Sequence, residues 1–575
     1  MTIKEGSIIK KVLERSLKNP LEALRFYANP TRIKWYLNKK SGKLPSIFPA
    51  DKIYIIHKIK NVIIKKVTAE GITKNCILTN SNFNFTTKRI KIKKGDILSF
   101  SIKLNKKIKD SIIYKININK DILFLRKINE ELFKTKSWLE VNLDLNKYKN
   151  KQINIKFSTK ATSKENLRDS IVWSEPIILN KDIKKTNVIL ISIDSCRKRN
   201  FSCYGYHRKT TPNIDKMKSI KFNKVFAQTI WTGYSHETMF TGLYPITHRI
   251  RKKENKEIKF LPEIFRNKGY LTYSHNGAGR LGPEILSKGF DYFIYRKLDR
   301  KSKTSSAEDI INSSIKFLNN INGNPFFMFL HFMEAHEPYD IPNPHHTNFN
   351  KKYIGNINLY DFKQKLKKGI INIKDLNKED IEYLRGLYDA GIKYFDQEVG
   401  KLIDMLKVLN IYENTTIFIT SDHAEEFMEH GYLYHYKFYD ETINVPLIIK
   451  APKGFNKKNI NKEAIIELVD IFPTILNIAK LKIPKNIDGK DVFDKKESDL
   501  AFSENWITEE NKKFCFSVRS NEIKYIYTKP QRNKKGIEEL YNLKKDPEEK
   551  ENIANKNKKI IKLMREKKKD YYKKH

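Results

Sequence analysis

NVILISID, residues 187 to 194, is a short run of apolar and mainly β-branched residues that ends in a carboxylate, Asp194. Similar runs follow along the chain, separated by helical patterns: GYLTYSH (269–275), PFFMFLHF (325–332), TTIFITSD (415–422) and VPLIIK (445–450). Strands covered on both faces of a parallel sheet have this composition. The alternation of strands and helices therefore predicts an α/β domain over residues 183–500, with a mostly parallel central sheet flanked by helices.

Residues 46–182, which precede this domain, follow a different pattern. Short β-rich segments such as KIYIIHKI, WLEVNLDL and QINIKFST often alternate apolar with polar residues, and Gly, Asn and Lys clusters separate them. This pattern predicts an antiparallel β-sandwich. Its tryptophans, Trp138 and Trp173, are either core residues or part of a surface that binds glycans. Residues 1–45 are predicted to be helical, and residues 501–575 to form a small α+β subdomain with a basic tail.

The chain has 575 residues and a formal net charge of +46, which attracts polyanions in general. The lysines are spread along the whole chain and no nucleic-acid motif accompanies them, so a nucleic-acid partner is not expected. The basic, amphipathic first helices are compatible with weak peripheral contact with a membrane. No signal peptide or transmembrane segment is recognisable, and the four cysteines are widely scattered. Residence in the reducing cytoplasm is therefore expected.

Polar side chains collect where the predicted strands end. Asp194 ends the first strand, Asp422 and His423 end TTIFITSDH, and His336 lies just past PFFMFLHF. Ligands of open α/β sheets bind at the carboxyl ends of the strands, and Asp and His are common ligands of divalent cations. The sequence therefore predicts a site for Mn²⁺, Zn²⁺, Ca²⁺ or Mg²⁺ there. Alternatively, the two aspartates cap the helices or loops that follow them.

A threonine in IWTGYSHETMFTGLYP, residues 230 to 245, is the candidate nucleophile. The hydroxyl of Thr232 is nearly inert at neutral pH, but coordination to a metal lowers its pKa and makes an alkoxide available. Such an alkoxide can attack phosphorus or sulfur in an ester. Thr232 also suits the N-cap of a helix, where backbone N–H groups favour an anion as well.

Six segments, in order, resemble the sulfatase-like branch of the alkaline phosphatase superfamily over residues 185–555. They are NVILISIDSCRKRNFSCYGYHRKTTPNIDKM, WTGYSHETMFTGLYP, HFMEAHEPYD, TSDHAEEFMEHGYLYHYKFYDETINVPLI, ELVDIFPTIL with IDGKDVF, and ELYNLKKDPEEKENIA. The first resembles the opening strand with a metal-binding Asp, the second the nucleophile motif, and the fourth the Asp-His metal motif. Together they imply an alkaline-phosphatase-like fold.

The resemblance also implies roles for individual residues. It implies that Asp194, Asp422 and His423 bind metal and that Thr232 is the nucleophile. Two histidines occupy positions at which the family contacts the ester oxygens or protonates the leaving group: His336 and His435, the latter in place of a common Lys. Three residues are implied to bind substrate: Ser235, His236 and Asn276.

The chain departs from the sulfatase pattern at the nucleophile. Sulfatases of this family use a Cys or Ser in a Cys-x-Pro-Ser-Arg setting, which is oxidised to formylglycine, whereas this chain has Thr232-Gly-Tyr-Ser-His236. Formylglycine is therefore not expected, and a threonine nucleophile favours a phosphorus ester. Ser195 and Ala424 also replace an Asp and a Gly that are usual beside the metal ligands.

We therefore predict a sulfatase-like, metal-dependent hydrolase that cleaves a sulfate or phosphate ester through Thr232. Its substrate would be an anionic ester, linked to a glycan or a lipid. One alternative is a phosphotransferase that moves a phospho-alcohol group onto a glycan or lipid. The other is a catalytically inactive protein that binds anionic glycans through its positive charge and its sandwich.

Overall fold

The computed structural model describes residues 63–575 apart from short gaps. The gaps are residues 70–71, 80–81, 105–110, 130–137, 163–170, 175, 181–184, 255–256, 278–280, 296–304, 322, 340, 343, 346–348, 350–352, 356, 457–459, 496–498, 506–512 and 531–535. The predicted N-terminal helices, residues 1–45, lie outside the described residues.

Twelve strands are described in the N-terminal region, and all their pairings within it are antiparallel. They are β1 (Ile63–Ala69), β2 (Ile72–Thr79), β3 (Asn82–Thr86), β4 (Ile90–Lys91), β5 (Asp96–Leu104), β6 (Ile112–Ile118), β7 (Asp121–Ile128), β8 (Leu139–Asp144), β9 (Gln152–Ile153), β10 (Ile155–Ala161), β11 (Ile171–Ser174) and β12 (Ile177–Asn180). The order β3-β10-β6-β7 forms one sheet, and β12-β5-β11-β2 belongs to another.

The N-terminal sheets share one apolar core, to which strands such as β5, β6 and β10 each contribute alternate residues. Trp173 is fully buried in this core and packs against Phe100, Tyr114 and Phe157. Trp138 is also buried, at 7% exposure. Both tryptophans are therefore core residues and not part of an exposed glycan-binding surface. The antiparallel arrangement is consistent with the predicted sandwich.

The α/β region supplies eleven further strands. They are β13 (Asn187–Ile193), β14 (Ile220–Lys221), β15 (Lys224–Phe226), β16 (Leu271–Asn276), β17 (Tyr292–Tyr295), β18 (Phe326–Phe332), β19 (Thr415–Thr420), β20 (Glu426–Phe427), β21 (Leu433–Tyr434), β22 (Leu447–Lys450) and β23 (Ile465–Glu467). The central sheet has the order β17-β16-β18-β13-β19-β22-β14. The five apolar runs quoted above all form strands of it.

The central sheet is mixed and not simply parallel. The first five strands in the order are parallel, but β22 pairs antiparallel with both β19 and β14. The sheet also continues into the N-terminal region, because β17 pairs antiparallel with β2. An apolar run such as VPLIIK does not indicate the direction of the strand it forms. The direction depends on the path that the preceding part of the chain takes.

Helices cover both faces of the central sheet. They are α1 (Pro212–Asp215), α2 (Thr232–Thr241), α3 (Pro245–Lys253), α4 (Leu261–Asn267), α5 (Pro283–Leu286), α6 (Ala307–Leu318), α7 (Leu359–Lys367), α8 (Lys378–Val408), α9 (Asp440–Ile443) and α10 (Ile471–Ile478). Successive side chains of β13 point to opposite faces. Val188 and Leu190 therefore pack in a core with α2, α4 and α10, while Ile189 and Ile191 pack with α6 and α8.

The C-terminal region consists of a four-stranded antiparallel sheet and a basic helix. Its elements are β24 (Ala501–Asn505), β25 (Lys513–Arg519), β26 (Ile523–Pro530), β27 (Ile537–Asn542) and α11 (Lys558–Lys574). Glu504 joins the region to the α/β part, because it accepts hydrogen bonds from the backbone N–H of Ile246 and the hydroxyl of Tyr571. Among the described residues, no helix has both the length and the apolar character to span a bilayer.

Helix α8 packs closely against the loop that follows β18. A Cβ placed on Gly391 would overlap the backbone carbonyl of Glu334, which lies two residues before His336. A Cβ on Gly400, in the same helix, would instead lie 2.9 Å from the side chain of Asn213. A backbone group cannot move aside as a side chain can, so Gly391 permits the approach that positions the His336 loop.

We predict that Gly391→Ala lowers the free energy of unfolding by about 2 kcal/mol, because the overlap outweighs the gain of about 1 kcal/mol in helix propensity. Urea denaturation is the measurement. Gly400→Ala is the matched control, because it gains the same propensity and meets only a side chain. A Gly391→Ala protein as stable as Gly400→Ala would contradict the packing described.

Candidate active site

Two buried carboxylates lie side by side at the carboxyl edge of the central sheet. β13 and β19 are parallel neighbours with Ser192 opposite Thr420, so Asp194 and Asp422 follow the two strands at equivalent positions. Both side chains are at most 1% exposed. The hydroxyl of Ser421 joins the strand ends, donating to the carbonyl of Ile193 and accepting from the N–H of Cys196. The register of the sheet therefore forces two negative groups together.

Backbone groups orient the carboxylate of Asp422. Its Oδ1 accepts hydrogen bonds from the N–H of Ser195 at 3.2 Å and of His423 at 3.0 Å. Ser195 reaches this position with a φ of 61°, in the left-handed region that non-glycine residues adopt rarely. The other oxygen, Oδ2, has no hydrogen-bond partner among the described residues.

Asp194, Asp422 and His423 fit a divalent cation. One ligand atom from each lies within 4.8 Å of the others. The Nδ1 of His423 donates to the carbonyl of Ala424 at 3.2 Å, which leaves Nε2 with its lone pair. This Nε2 lies 3.5 Å from Asp422 Oδ2 and 3.7 Å from Asp194 Oδ1, and it has no hydrogen-bond partner among the described residues. Asp422 Oδ2 and His423 Nε2 are thus two buried atoms with lone pairs and no hydrogen-bond partner among the described residues, and they lie beside the carboxylate of Asp194. A hard or borderline cation needs ligands of this kind.

The electrostatics of the site follow from burial and from the pairing of like charges. Burial, together with the charge of Asp194, raises the pKa of Asp422. Burial also opposes ionisation of Asp194, but the imidazoles of His336, His331 and His423 outweigh it and hold the pKa of Asp194 below its usual value. Burial lowers the pKa of His423, which favours the neutral imidazole that binds metals.

Thr232 is the first residue of helix α2, and its hydroxyl faces the carboxylates. Its Oγ1 donates to Asp194 Oδ2 at 3.4 Å. The N-cap residue is Trp231, and no side chain caps the helix. The N-cap role is therefore wrong for Thr232, whose hydroxyl points to the candidate metal ligands. Its side chain lies at a helix N-terminus, where backbone N–H groups favour an anion.

The predicted substrate-binding residues are buried and hydrogen-bonded within the protein. Ser235 donates to the carbonyl of Asp422 at 2.7 Å, which fixes α2 to the end of β19. His236 donates from Nδ1 to the carbonyl of Thr232 and accepts at Nε2 from Ser192. Burial lowers the pKa of His236 to about 3, and His331 adds to the effect. Asn276 donates to the carbonyl of Leu281. In the structure Ser235 and His236 therefore hold the start of α2 against the strand ends, whereas Asn276 bonds to residues outside the site.

His336 and His435 lie together above the carboxylates. The two rings are 5.8 Å apart between centroids, and the ring of His435 is 4.3 Å from that of His423. The Nδ1 of His336 donates to the carbonyl of Glu337 at 2.7 Å. The Nδ1 of His435 donates to Glu425 Oε2 at 3.2 Å. In both cases Nδ1 is engaged by the protein.

Sequence reasoning missed His331 and noted Glu425 only as an acidic residue after the Asp-His pair. His331 is the penultimate residue of β18, and its Nε2 lies 3.3 Å from Asp194 Oδ2. Glu425 is fully buried and holds both His435 and the hydroxyl of Tyr339. A histidine inside an otherwise apolar run was the available signal for His331. Glu425 had only its position after the Asp-His pair as a signal, since its partners lie elsewhere in the chain.

The mixed sheet, the two strand-end carboxylates and the hydroxyl at the start of α2 define the alkaline-phosphatase-like class of α/β ester hydrolases. A family model described as Sulfatase matches residues 186–481, and one for the C-terminal region of N-sulphoglucosamine sulphohydrolase matches residues 428–574. The chain belongs to the sulfatase family. Members of this family use a divalent metal, and the group of Asp194, Asp422 and His423 fits one.

Curated relatives support the same assignment. The chain is 24% identical over 380 residues to the arylsulfatase of Clostridium perfringens, covering 61% of this chain and 76% of that protein. It is 23% identical over 497 residues to the N-acetylglucosamine-6-O-sulfatase of Bacteroides thetaiotaomicron, covering 68% of this chain and 88% of that protein. Both names are those of sulfuric ester hydrolases.

Solved structures show the same fold. One is the structure of a protein in complex with its substrate, D-glucosamine-2-N,6-O-disulfate. It has a TM-score of 0.53 and 20% identity, and the match covers 68% of this chain and 98% of that chain. Another is the phosphonate monoester hydrolase of Agrobacterium radiobacter, with a TM-score of 0.53 and 19% identity, covering 68% and 95%. At these identities the likeness establishes the fold alone.

We predict that Asp422→Asn weakens Mn²⁺ binding at least about 100-fold, because it removes a charged ligand. The same change relieves the repulsion between two buried carboxylates, so the metal-free protein should melt at a temperature equal to or above that of the wild type. Titration calorimetry and melting curves with and without Mn²⁺ measure the two effects.

The matched control for Asp422→Asn is Asp404→Asn, since Asp404 lies on α8 with its side chain 74% exposed. This variant should bind Mn²⁺ as the wild type does and show the same rise in melting temperature when the metal is added. Equal Mn²⁺ affinity in Asp422→Asn and the wild type would exclude this metal site.

Proposed function

We propose that the chain is a metal-dependent hydrolase of an anionic ester, with Thr232 as the nucleophile and a phosphorus ester as the preferred substrate. The observation that carries the proposal is the 3.4 Å approach of the Thr232 hydroxyl to Asp194, beside the orphaned acceptors of Asp422 and His423. A hydroxyl, two carboxylates and an imidazole thus converge on one buried position. Such convergence at the carboxyl edge of a sheet is typical of an active site.

Asp194, Asp422 and His423 would hold the divalent cation, which is Mn²⁺, Zn²⁺, Ca²⁺ or Mg²⁺. When bound, the cation lowers the pKa of a neighbouring hydroxyl and offsets negative charge on the ester. Asp194 orients the Thr232 hydroxyl through their hydrogen bond. Ser235 and His236 hold the first turn of α2 in place through the carbonyls of Asp422 and Thr232.

Thr232 attacks the phosphorus through Oγ1, and the bond from phosphorus to the leaving oxygen breaks. His336 and His435 face the non-bridging oxygens or the leaving group, and His336 does so through Nε2, because its Nδ1 is already engaged. The proton of the attacking hydroxyl passes to Asp194, and the leaving alcohol takes a proton from the Nε2–H of a doubly protonated imidazole, His336 or His435. Water then attacks the phosphothreonine ester, which releases phosphate and restores the Thr232 hydroxyl.

The threonine argues for phosphorus over sulfur. A hydrated formylglycine can expel sulfate by collapsing to the aldehyde, but a threonine ester has no second hydroxyl and has to be cleaved by an external nucleophile. No formylglycine is expected from Thr232, because that modification begins at Cys or Ser. Sulfatases and a phosphonate monoester hydrolase both occur among the similar proteins, so the fold accepts either centre.

The second step of this reaction decides which molecule accepts the group held on Thr232. If an alcohol replaces water in the second step, the chain becomes a transferase that moves a phospho-alcohol group onto a glycan or a lipid. Relatives named for glucosamine sulfate and the net charge of +46 favour an anionic substrate. Contact with an anionic membrane and residence in the cytoplasm remain predictions from the sequence.

We predict that Thr232→Ala lowers kcat more than about 1,000-fold while the protein stays folded, because the attacking oxygen is lost. Thr238→Val is the matched control. Thr238 is buried in the same helix, and its hydroxyl has no hydrogen-bond partner among the described residues. Rates of ester cleavage and circular dichroism measure the two effects. A wild-type rate in Thr232→Ala on every ester would show that the nucleophile lies elsewhere.

A panel of aryl sulfates, aryl phosphates and phosphodiesters, assayed with defined metals and with chelator, tests the class of ester. We expect a phosphorus ester to be the best substrate, with activity lost in chelator and restored by Mn²⁺, Zn²⁺ or Ca²⁺. A sulfate monoester as the best substrate would overturn the preference for phosphorus. Binding of sulfated glycans without turnover of any ester would favour the inactive binding protein.

A further inference from the structure

A cleft that has no part in the proposed chemistry is lined by Tyr434 and Tyr436, the two residues that flank His435 in the chain. Its volume is about 370 Å³. Leu433, Tyr434 and Tyr436 line one side, and the other side is lined by residues of α7 and the segment after it, including Leu366, Ile371 and Ile373. A cavity of this size accommodates a small organic group.

The lining of the cleft is apolar and aromatic. Among the described residues that line it, none is charged, and Asn372 is the one that carries an amide. This is unusual for a surface of a chain with a net charge of +46. Tyr436 is 57% exposed, so a large aromatic face is open to a ligand. A sugar ring needs several hydrogen-bonding side chains around it, whereas this lining suits an aryl or alkyl group.

A short hairpin links the wall of the cleft to the segment that carries His435. β20 and β21 pair with Glu426 opposite Tyr434 and Phe427 opposite Leu433, so the wall of the cleft is held against the segment that follows the Asp-His pair. Tyr434 and Tyr436 flank His435 in the chain. Tyr434 keeps a φ of 72°, a conformation that side-chain-bearing residues rarely adopt and that is often found at functional sites.

The two tyrosines also lie within electrostatic reach of the carboxylate that holds His435. Burial raises the pKa of Tyr434, partial loss of hydration raises that of the half-exposed Tyr436, and the charge of Glu425 contributes in both cases. Glu425 accepts the hydrogen bond from His435 Nδ1. Glu425 therefore links the aromatic wall electrostatically to His435.

We propose that this cleft binds an apolar aryl or alkyl group of the substrate, carried by the alcohol that leaves as the ester is cleaved. The inference rests on the proposed function for the position of the ester itself. It deepens that function, because it selects apolar leaving groups over sugars. The group enters the cleft on the side of His435, which protonates the oxygen attached to it.

The test compares 1-naphthyl phosphate with methyl phosphate, and 1-naphthyl sulfate with methyl sulfate, for binding to the full-length Thr232→Ala protein supplied with Mn²⁺. Each pair shares one head group, so the ratio of the two Kd values reports the cleft. We expect the naphthyl esters to bind at least about tenfold more tightly. Tyr436→Ala in the same background should reduce this ratio to below about threefold, whereas Tyr436→Phe should keep it.

Leu125→Ala is the control for loss of an exposed apolar side chain, because Leu125 is 59% exposed on β7 of the N-terminal region. It should leave the ratio unchanged. Equal binding of naphthyl and methyl esters, or tighter binding of glucose 6-phosphate than of naphthyl phosphate, would overturn the proposal. The turnover assay separates the two proposals: a naphthyl preference without turnover refutes the function alone, and turnover without a preference refutes the cleft alone.

Discussion

The active site depends on one electrostatic constraint, the enforced proximity of two carboxylates in a buried place. Parallel pairing of β13 with β19 brings Asp194 and Asp422 side by side, at the edge where both strands end. Two buried negative charges repel each other at high cost unless a cation or protons offset them. The backbone N–H groups of Ser195 and His423 offset part of the charge on Asp422 Oδ1. The orphaned Oδ2 shows where a cation would supply the rest.

The residues around this pair of carboxylates hold in place the groups that face it. Beneath it, Ser235 and His236 fasten the start of α2, so that the hydroxyl of Thr232 faces Asp194. The rings of His336 and His435 lie close to each other, and each is held by a hydrogen bond from its Nδ1. The family's arginine position is occupied here by His236, whose pKa burial lowers, so a permanent positive charge is replaced by a neutral ring.

Much of the fold was readable from the sequence, because local patterns encode it. The five apolar runs form strands, and the long pattern from Lys378 to Val408 forms one helix, since burial on both faces or along one stripe dictates the residue type. The antiparallel direction of β22 and the pairing of β17 with β2 were not readable. Strand direction and partner depend on contacts between residues that are far apart in the chain, and no local pattern records them.

The same division applies to the site. Asp194, Asp422, His423, His336 and Thr232 could be named as candidates from the chain, because hard ligands follow several apolar strands and because the segments that carry these residues resemble the family's motifs in order. Only the tertiary structure placed His331 beside Asp194 and Glu425 beside His435, and only it showed that Ser235 and Asn276 bond within the protein. Residue type limits what a side chain can do chemically, but packing decides which atoms it meets, because the contacts come from segments distant in sequence.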